Sequence, residues 1–190
     1  MVTVYYTSYN LSNDEDRGHI LGLSLLQVGL ECLYNIHLTR KDIEQKYRRM
    51  KYGKPYLMGF EYIHFNISHC DGYVACAFSA EEIGVDVERL TYIRTSMVKR
   101  ILTEKEQEYL KTCDNVIFTL LRLFSLKESY VKCIGVGLSM EPNLIHFSLS
   151  DKIQCSDTSV CFQQKYLSND CVLSVCYKEN ESDVNFIEYI

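Results

Sequence analysis

The segment Gly84-Val85-Asp86-Val87-Glu88 constrains the fold and chemistry of this chain more than any other stretch. Two apolar β-branched residues alternate with two acids, a pattern typical of a short strand with one face in the core. Asp86 and Glu88 therefore point the same way, and their charges repel each other unless a positive group lies nearby. Carboxylate oxygens suit a hard divalent cation such as Mg²⁺, which also takes ligands from substrate phosphates.

A second charged segment, Lys127-Glu128-Ser129-Tyr130-Val131-Lys132, lies on a predicted helix. Glu128 and Lys132 are four residues apart and share a helix face, so they can bring a third carboxylate and a cation to the same place. Each pattern alone has an ordinary alternative, a solvated strand edge or a charged helix surface. Together they indicate phosphate chemistry.

Four short motifs follow one another in a specific order. They are Gly53-Lys54-Pro55, Phe65-Asn66-Ile67-Ser68-His69, the strand at 84–88, and Phe124-Ser125-Leu126-Lys127-Glu128-Ser129 with Lys132. In order and spacing they closely resemble the signatures of 4′-phosphopantetheinyl transferases, in particular the two-lobed class that activates surfactin-type peptide synthetases. The resemblance covers residues 53–139, with weaker similarity toward both ends.

The resemblance implies an enzyme that moves the 4′-phosphopantetheine arm of coenzyme A to a serine of an acyl or peptidyl carrier protein and releases 3′,5′-ADP. It assigns Asp86, Glu88 and Glu128 to Mg²⁺. Glu128 is also the expected general base, and Lys132 the cation that pairs with a phosphate oxygen during catalysis. The residues that it assigns to coenzyme A are Lys54, Ser68, His69 and Lys132, with His69 at the 3′-phosphate. Asn66 is expected to hold the strand end in shape.

The N-terminal region departs from the family pattern. The predicted first strand reaches Tyr9 and a helix follows almost at once, with only Arg17 and His19 nearby. Relatives usually carry a longer basic segment here that clamps the 3′-phosphate, so we expect weaker coenzyme A binding and an unaffected metal site. The basic run at 46–51 is either a solvated surface or a replacement for those phosphate contacts.

The short N-terminal region keeps a second function open, that of a non-catalytic relative that binds coenzyme A or a carrier protein and regulates it. The complete set Asp86, Glu88 and Glu128 argues against it, because such a protein needs no three converging carboxylates. A metal-dependent phosphohydrolase is a third reading, but the chain lacks the His/Asp clusters of a two-metal site.

The expected fold is α+β, with two pseudo-symmetric lobes at 1–90 and 91–190 and the active site between them. Each lobe pairs a long helix with a small, mostly antiparallel sheet. The first helix, preceded by acids at 13–16, is apolar nearly all round over 20–30, so we expect it to be central and buried. The second spans about 115–134, capped by Asp114 and ended by Gly135, after a capping box at Thr103. Strands are expected near residues 2–9, 65–70, 72–78, 84–88, 144–149, 160–167, 171–177 and 184–189.

Composition narrows the partners. The net charge of −5 argues against a nucleic-acid binder. No apolar run reaches the length of a membrane span and no signal peptide is evident, so we expect a cytoplasmic protein. The nine cysteines match no zinc spacing and are expected to be reduced.

We expect a monomer, as in the two-lobed class, and an acidic carrier protein that docks on basic residues. The candidates for docking are Arg94, Lys99, Arg100 and Lys105.

Overall fold

The computed structural model describes residues 1–10, 17–89, 95–150, 152–178 and 183–190, and these form an α+β fold. The strands are β1 (Val2–Ser8), β2 (Tyr47–Arg49), β3 (Pro55–Leu57), β4 (His64–Cys70), β5 (Tyr73–Ser79), β6 (Ile83–Arg89), β7 (Phe147–Leu149), β8 (Ile153–Cys155), β9 (Val160–Ser168), β10 (Cys171–Lys178) and β11 (Val184–Glu188). The helices are α1 (Arg17–Tyr34), α2 (Arg40–Lys46), α3 (Thr95–Ile101), α4 (Glu104–Leu110) and α5 (Val116–Ile134).

Two principal sheets carry the long helices. One sheet has the order β11-β1-β5-β4 and the other the order β6-β10-β9. All pairings in them are antiparallel except that of β1 with β11. Helix α1 packs on β4 and β5, and α5 packs on β6 and β10 in the corresponding way. The predicted α+β architecture of two similar helix-on-sheet lobes is therefore confirmed.

The sheets do not follow the order of the chain. Strand β6, expected in the N-terminal lobe, pairs with β10. Strand β11, expected in the C-terminal lobe, pairs with β1. Each sheet thus holds one strand from the other half of the sequence, and the division of the chain near residue 90 stays a prediction.

Three apolar clusters fill the spaces between these layers. One lies between α1 and its sheet, and another surrounds α5 with α4 and β7. The third joins the two sheets, because residues of β1 and β5 pack against residues of β6 and β10. The structure is therefore layered as helix, sheet, sheet, helix. No helix in the described residues is long and apolar enough to span a membrane.

Most local signals in the sequence are confirmed. Thr103 forms the predicted capping box with Glu106. Gly135 ends α5 in the left-handed region, at φ 70°. The predicted cap of α5 is wrong by one residue, because Asn115 Oδ1 accepts the Phe118 N–H at 3.1 Å. The strand expected over 144–149 is shorter because a 3₁₀ turn occupies Pro142–Leu144. The acids at 13–16 lie outside the described residues.

Helix α1 is less buried than its apolar sequence predicts. Residues near its end, including Glu31 and Leu33, are exposed. Its buried face includes Gly22 and Gly29, and a Cβ at Gly29 would lie 2.1 Å from the Phe78 ring. Because glycine has no side chain, α1 approaches its sheet closely at these two positions. The larger apolar residues of the helix fill the remaining space.

We expect Gly84→Ala to destabilise the fold more than an ordinary glycine substitution. A Cβ at Gly84 would lie 2.1 Å from the Ser129 carbonyl oxygen and 2.3 Å from the Cys133 nitrogen, so the backbone of α5 must move. The expected loss of unfolding free energy is about 3 kcal/mol, measured by urea denaturation. Gly59→Ala is the control, because its methyl meets nothing within 4 Å and carries only the strain of φ +85°, about 1 kcal/mol. Equal losses in the two variants would contradict the close packing.

Candidate active site

The site begins where β4 meets β6. Asn66 and Ser68 lie on the same face of β4 because they are two residues apart. Asn66 Oδ1 accepts the Val85 N–H at 3.0 Å, and Ser68 Oγ accepts the Val87 N–H at 3.2 Å. The two sheets are therefore joined here by side chains of β4 that bond the backbone of β6. The expected role of Asn66 in shaping this strand end agrees with that contact.

Three predicted site residues form one hydrogen-bonded network beside this junction. Asp86 is only 4% exposed, and its Oδ1 accepts a hydrogen bond from Lys132 Nζ at 2.8 Å. Lys132 Nζ also donates to Ser68 Oγ at 2.9 Å, and Ser68 donates to Asp86 Oδ1 at 3.3 Å. The structure thus brings together a predicted metal ligand and two predicted coenzyme A contacts.

Small side chains let α5 approach β6 and place its charged residues. Ser125 and Ser129 are fully buried on the helix face toward β6, opposite Gly84. Ser129 satisfies its hydroxyl within the helix by donating to the Leu126 carbonyl at 2.8 Å. The close approach carries Lys132 to Asp86. Small residues four apart on a helix, facing a glycine on a strand, are the sequence signal for such packing.

The three predicted metal ligands influence one another electrostatically. Burial, and then the charge of Asp86, raise the pKa of Glu88 to about 7. The same two causes raise the pKa of Glu128. Lys132 lowers both values without cancelling these effects. Burial and the charge of Asp86 therefore disfavour the charged forms of Glu88 and Glu128.

The donor set fits a divalent cation. Asp86 Oδ2 is buried and has no hydrogen-bond partner, so one carboxylate oxygen is available as a ligand. Glu88 and Glu128 are close enough to Asp86 for their pKa values to respond to it. Across the described residues, no three acidic, histidine or cysteine side chains are already grouped as a metal site. The fit thus rests on Asp86 Oδ2 and on the type of donor nearby.

A cavity of about 630 Å³ lies beside the network. Glu128 and Lys132 line it, and so does His69, whose pKa is lowered by burial and then by His19 and Lys132. Arg49, from the basic run at 46–51, also lines it. Further lining residues missed by the sequence reasoning are Tyr47, Tyr52, Gly135, Gly137, Met140, Pro142 and Asn143. They come from both halves of the chain, from β2, the turn before β3 and the segment after α5, and no local motif marks them.

Lys54 lines the cavity but its ammonium is engaged inside the protein. The side chain is 7% exposed and forms an ion pair with Glu82. Lys54 Nζ also donates to the Cys133 carbonyl at 2.5 Å, in the last turn of α5. In this structure Lys54 joins the loop before β3 to the end of the helix that carries Lys132. Its predicted contact with a phosphate stays a prediction.

A buried ion pair on the other side of α5 was also missed. Lys127 Nζ lies 2.8 Å from Glu106 Oε2, and the two side chains are 1% and 0% exposed. Glu106 Oε1 accepts the Phe147 N–H at 2.7 Å, and Lys127 Nζ donates to the Pro142 carbonyl at 3.0 Å. This Lys fixes the residues around Pro142 that line the cavity. The capping box that contains Glu106 was the available signal, but it does not identify the distant partner.

Comparisons with known proteins identify the family of this chain. The profile of the 4′-phosphopantetheinyl transferase superfamily matches residues 82–176. The chain is 30% identical over 162 residues to the 4′-phosphopantetheinyl transferase Sfp of Bacillus subtilis, an alignment that covers 80% of this chain and 71% of that protein. It is 37% identical over 99 residues to the transferase gsp of Aneurinibacillus migulanus, covering 51% of this chain and 41% of gsp.

The chain belongs to the 4′-phosphopantetheinyl transferase superfamily. Among solved structures, the holo-[acyl-carrier-protein] synthase of Neisseria meningitidis matches with a TM-score of 0.46 and 19% identity, over 52% of this chain and 97% of that one. The chain spans less than half of gsp, at 41%, and slightly more than two thirds of Sfp, at 71%.

We expect the ion pair between Lys54 and Glu82 to stabilise the protein when no ligand is bound. Lys54→Met leaves Glu82 and the Cys133 carbonyl without their cation, so the free energy of unfolding should fall by about 2 kcal/mol. Glu82→Gln should cost less because Glu82 is 42% exposed. The double variant should lose about 1 kcal/mol less than the sum of the single losses.

The control for this cycle is Lys51→Met, at an exposed lysine of the basic run. Urea denaturation of all four variants measures the coupling. A Lys54→Met protein as stable as the Lys51→Met control would show that the Lys54 ammonium is free for another role.

Proposed function

We propose that the chain transfers the 4′-phosphopantetheine arm of coenzyme A to a serine of an acyl or peptidyl carrier protein and releases 3′,5′-ADP, with Mg²⁺ as cofactor. The observation that carries the proposal is the joined network of Ser68, Asp86 and Lys132 beside a cavity between the lobes. It combines carboxylate ligands, a cation and a substrate-sized space, which phosphoryl transfer requires.

The proposed metal ligands are Asp86, Glu88 and Glu128, with Asp86 Oδ2 as the buried oxygen that lacks a partner. Bound there, Mg²⁺ would neutralise charge on the pyrophosphate of coenzyme A and on the leaving nucleotide. Binding of the cation would also offset the repulsion between the buried Asp86 and the half-buried Glu88 and Glu128.

The reaction joins a serine hydroxyl oxygen of the carrier to the β-phosphorus and breaks the bond from that phosphorus to the oxygen of 3′,5′-ADP. Glu128 is the proposed base that accepts the hydroxyl proton, since it lines the cavity and has a raised pKa. Lys132 would pair with a phosphate oxygen. His69 on β4 and Arg49 on β2 line the cavity and are proposed to face the nucleotide phosphates. Ser68 is proposed to hold Lys132 in place.

Basic residues near the mouth of the cavity are the proposed docking surface for the acidic carrier. Lys99 and Arg100 are exposed at the end of α3 and line the cavity, and Lys105 lines an adjoining depression with Lys99. Positive charge there attracts an acidic partner and raises the association rate. Arg94, the fourth candidate, lies outside the described residues.

We expect Glu128→Ala to lower the rate of transfer by roughly 10²–10³-fold. The assay follows a fluorescent coenzyme A arm onto an apo carrier protein in the presence of Mg²⁺. Glu141→Gln is the matched control, because Glu141 also lines the cavity but is not one of the three proposed metal ligands. A Glu128→Ala enzyme as active as the control would remove Glu128 from the mechanism.

The same assay distinguishes a transferase from the alternative, a non-catalytic regulatory relative. A non-catalytic relative would bind coenzyme A but label no carrier, whichever unrelated carriers are supplied. Binding measured in parallel by calorimetry distinguishes that result from a protein that has lost its coenzyme A affinity through the short N-terminal region.

The pH dependence of stability should reveal the crowded carboxylates. Glu88 has a pKa near 7 in the folded protein, above its ordinary 4.5, so the folded state holds this proton more tightly than the unfolded state. Without divalent ions, stability should therefore fall as the pH rises from about 4.5 to 7. Thermal unfolding over this range checks the sign, and Glu88→Gln should flatten the profile.

Added Mg²⁺ should stabilise the protein more above pH 7 than near pH 5, because it competes with protons for the carboxylates. Asp86→Asn should remove most of this response, and sodium at equal ionic strength is the control. Identical stabilisation by both salts would contradict a specific divalent site.

We expect Lys105→Glu to raise the KM for the carrier several-fold and to leave the KM for coenzyme A unchanged, because Lys105 lies outside the cavity lining. The effect should shrink at high salt, where charge attraction is screened. Lys41→Glu, an equal charge change at an exposed position on α2, serves as the control. An equal rise in KM for both variants would indicate a net-charge effect and no local docking surface.

A further inference from the structure

The side-chain junction between β4 and β6 has a third member. Residues 66, 68 and 70 lie on the same face of β4, because side chains two residues apart on a strand point the same way. Asn66 and Ser68 bond the backbone of β6, and the next residue in the series, Cys70, lies with its Sγ 3.8 Å from the Sγ of Cys171. Cys171 begins β10 and is the register partner of Arg89 on β6. The two thiols therefore meet across the boundary between the sheets.

The thiols are held in place by surrounding contacts. Arg89 Nη1 donates to the Asp71 carbonyl at 2.8 Å, and its Nε pairs with Asp170 at 3.0 Å. One guanidinium thus ties the turn that follows Cys70 to the turn that precedes Cys171. This arrangement limits how far the two sulfurs can separate without opening both hairpins.

Access differs between the two thiols. Cys171 is fully buried, whereas Cys70 is only partly buried. A small reagent can therefore reach Cys70 more readily than Cys171. Such a pair, one accessible thiol beside one shielded thiol, is the arrangement in which a mixed disulfide is resolved internally. A disulfide needs the sulfurs about 2 Å apart, so the two Sγ atoms must approach each other from their present 3.8 Å.

We propose that Cys70 and Cys171 are a redox modification site, at which a small-molecule disulfide of the glutathione type forms a cross-link between the two sheets. The Cys70 thiolate attacks one sulfur of the reagent and releases one thiol, which leaves a mixed disulfide at Cys70. Cys171 then attacks Cys70 Sγ and releases the second thiol. Two protein thiols are oxidised, the reagent is reduced to two thiols, and the two protons pass to those products.

The cross-link adds a covalent member to the junction that already contains Asn66 and Ser68. It would lie two residues beyond Ser68 on β4 and one residue beyond Glu88 in the register of β6. The proposal depends on this geometry alone and is independent of the proposed transferase reaction. The oxidised chain is expected to resist unfolding better than the reduced chain, because the bond links residues distant in sequence.

The test treats the folded full-length chain with oxidised glutathione at mildly alkaline pH, because a hydrogen bond with Cys171 and burial raise the pKa of the Cys70 thiol. After remaining thiols are alkylated, peptide mapping by mass spectrometry should find a linked pair of peptides containing Cys70 and Cys171. Reduction before digestion should abolish the pair. Work in a Cys32→Ser background removes an exposed thiol that forms its own mixed disulfide.

Two variants define the order of the steps. Cys171→Ser should stop at a stable glutathione adduct on Cys70, and Cys70→Ser should leave Cys171 unmodified. Mapping of the parent protein does not depend on either variant folding. Recovery of both thiols as alkylated peptides, or a cross-link between the buried Cys133 and Cys176 instead, would overturn the proposal.

Discussion

The N–H groups of Val85 and Val87 on β6 face β4, and the rest of the site depends on how they are satisfied. A buried N–H without a partner is costly, and a neighbouring strand usually supplies the acceptor. Here Asn66 Oδ1 and Ser68 Oγ supply it. The Phe-Asn-Ile-Ser-His motif therefore links the two sheets through Asn66 and Ser68. Because Ser68 also bonds Lys132, the same link positions a cation beside Asp86.

The close packing of α5 on β6 completes that arrangement by bringing a lysine next to a buried acid. Gly84 and the buried serines of α5 allow the approach, which brings Lys132 within 2.8 Å of Asp86. The ammonium occupies Oδ1 and leaves Oδ2 without a partner. One cation thus holds the acid in place without filling its coordination capacity. Burial, and then the charge of Asp86, raise the pKa values of Glu88 and Glu128.

Local patterns in the sequence predicted local structure well, and long-range pairing poorly. Alternation at 84–88 gave the strand and its acidic face, and Gly135 gave the end of α5. The partner strand of β6 could not be predicted, because its apolar pattern is equally compatible with either sheet. The ion pair of Lys127 with Glu106 depends on two helices meeting, and each residue alone resembles an ordinary surface charge.

The distribution of cations around the cavity follows from these internal pairs. Lys54 is engaged by Glu82 and the end of α5, and Lys132 by Asp86. Among the described residues, the ion pairs do not include Arg49, Lys99 or Arg100, all of which line the cavity and are exposed. Charges without a carboxylate partner bind an incoming anion without first breaking an ion pair. Arg49 is therefore better suited than the deeply buried Lys54 to bind a phosphate group, even though Lys54 belongs to the more recognisable motif.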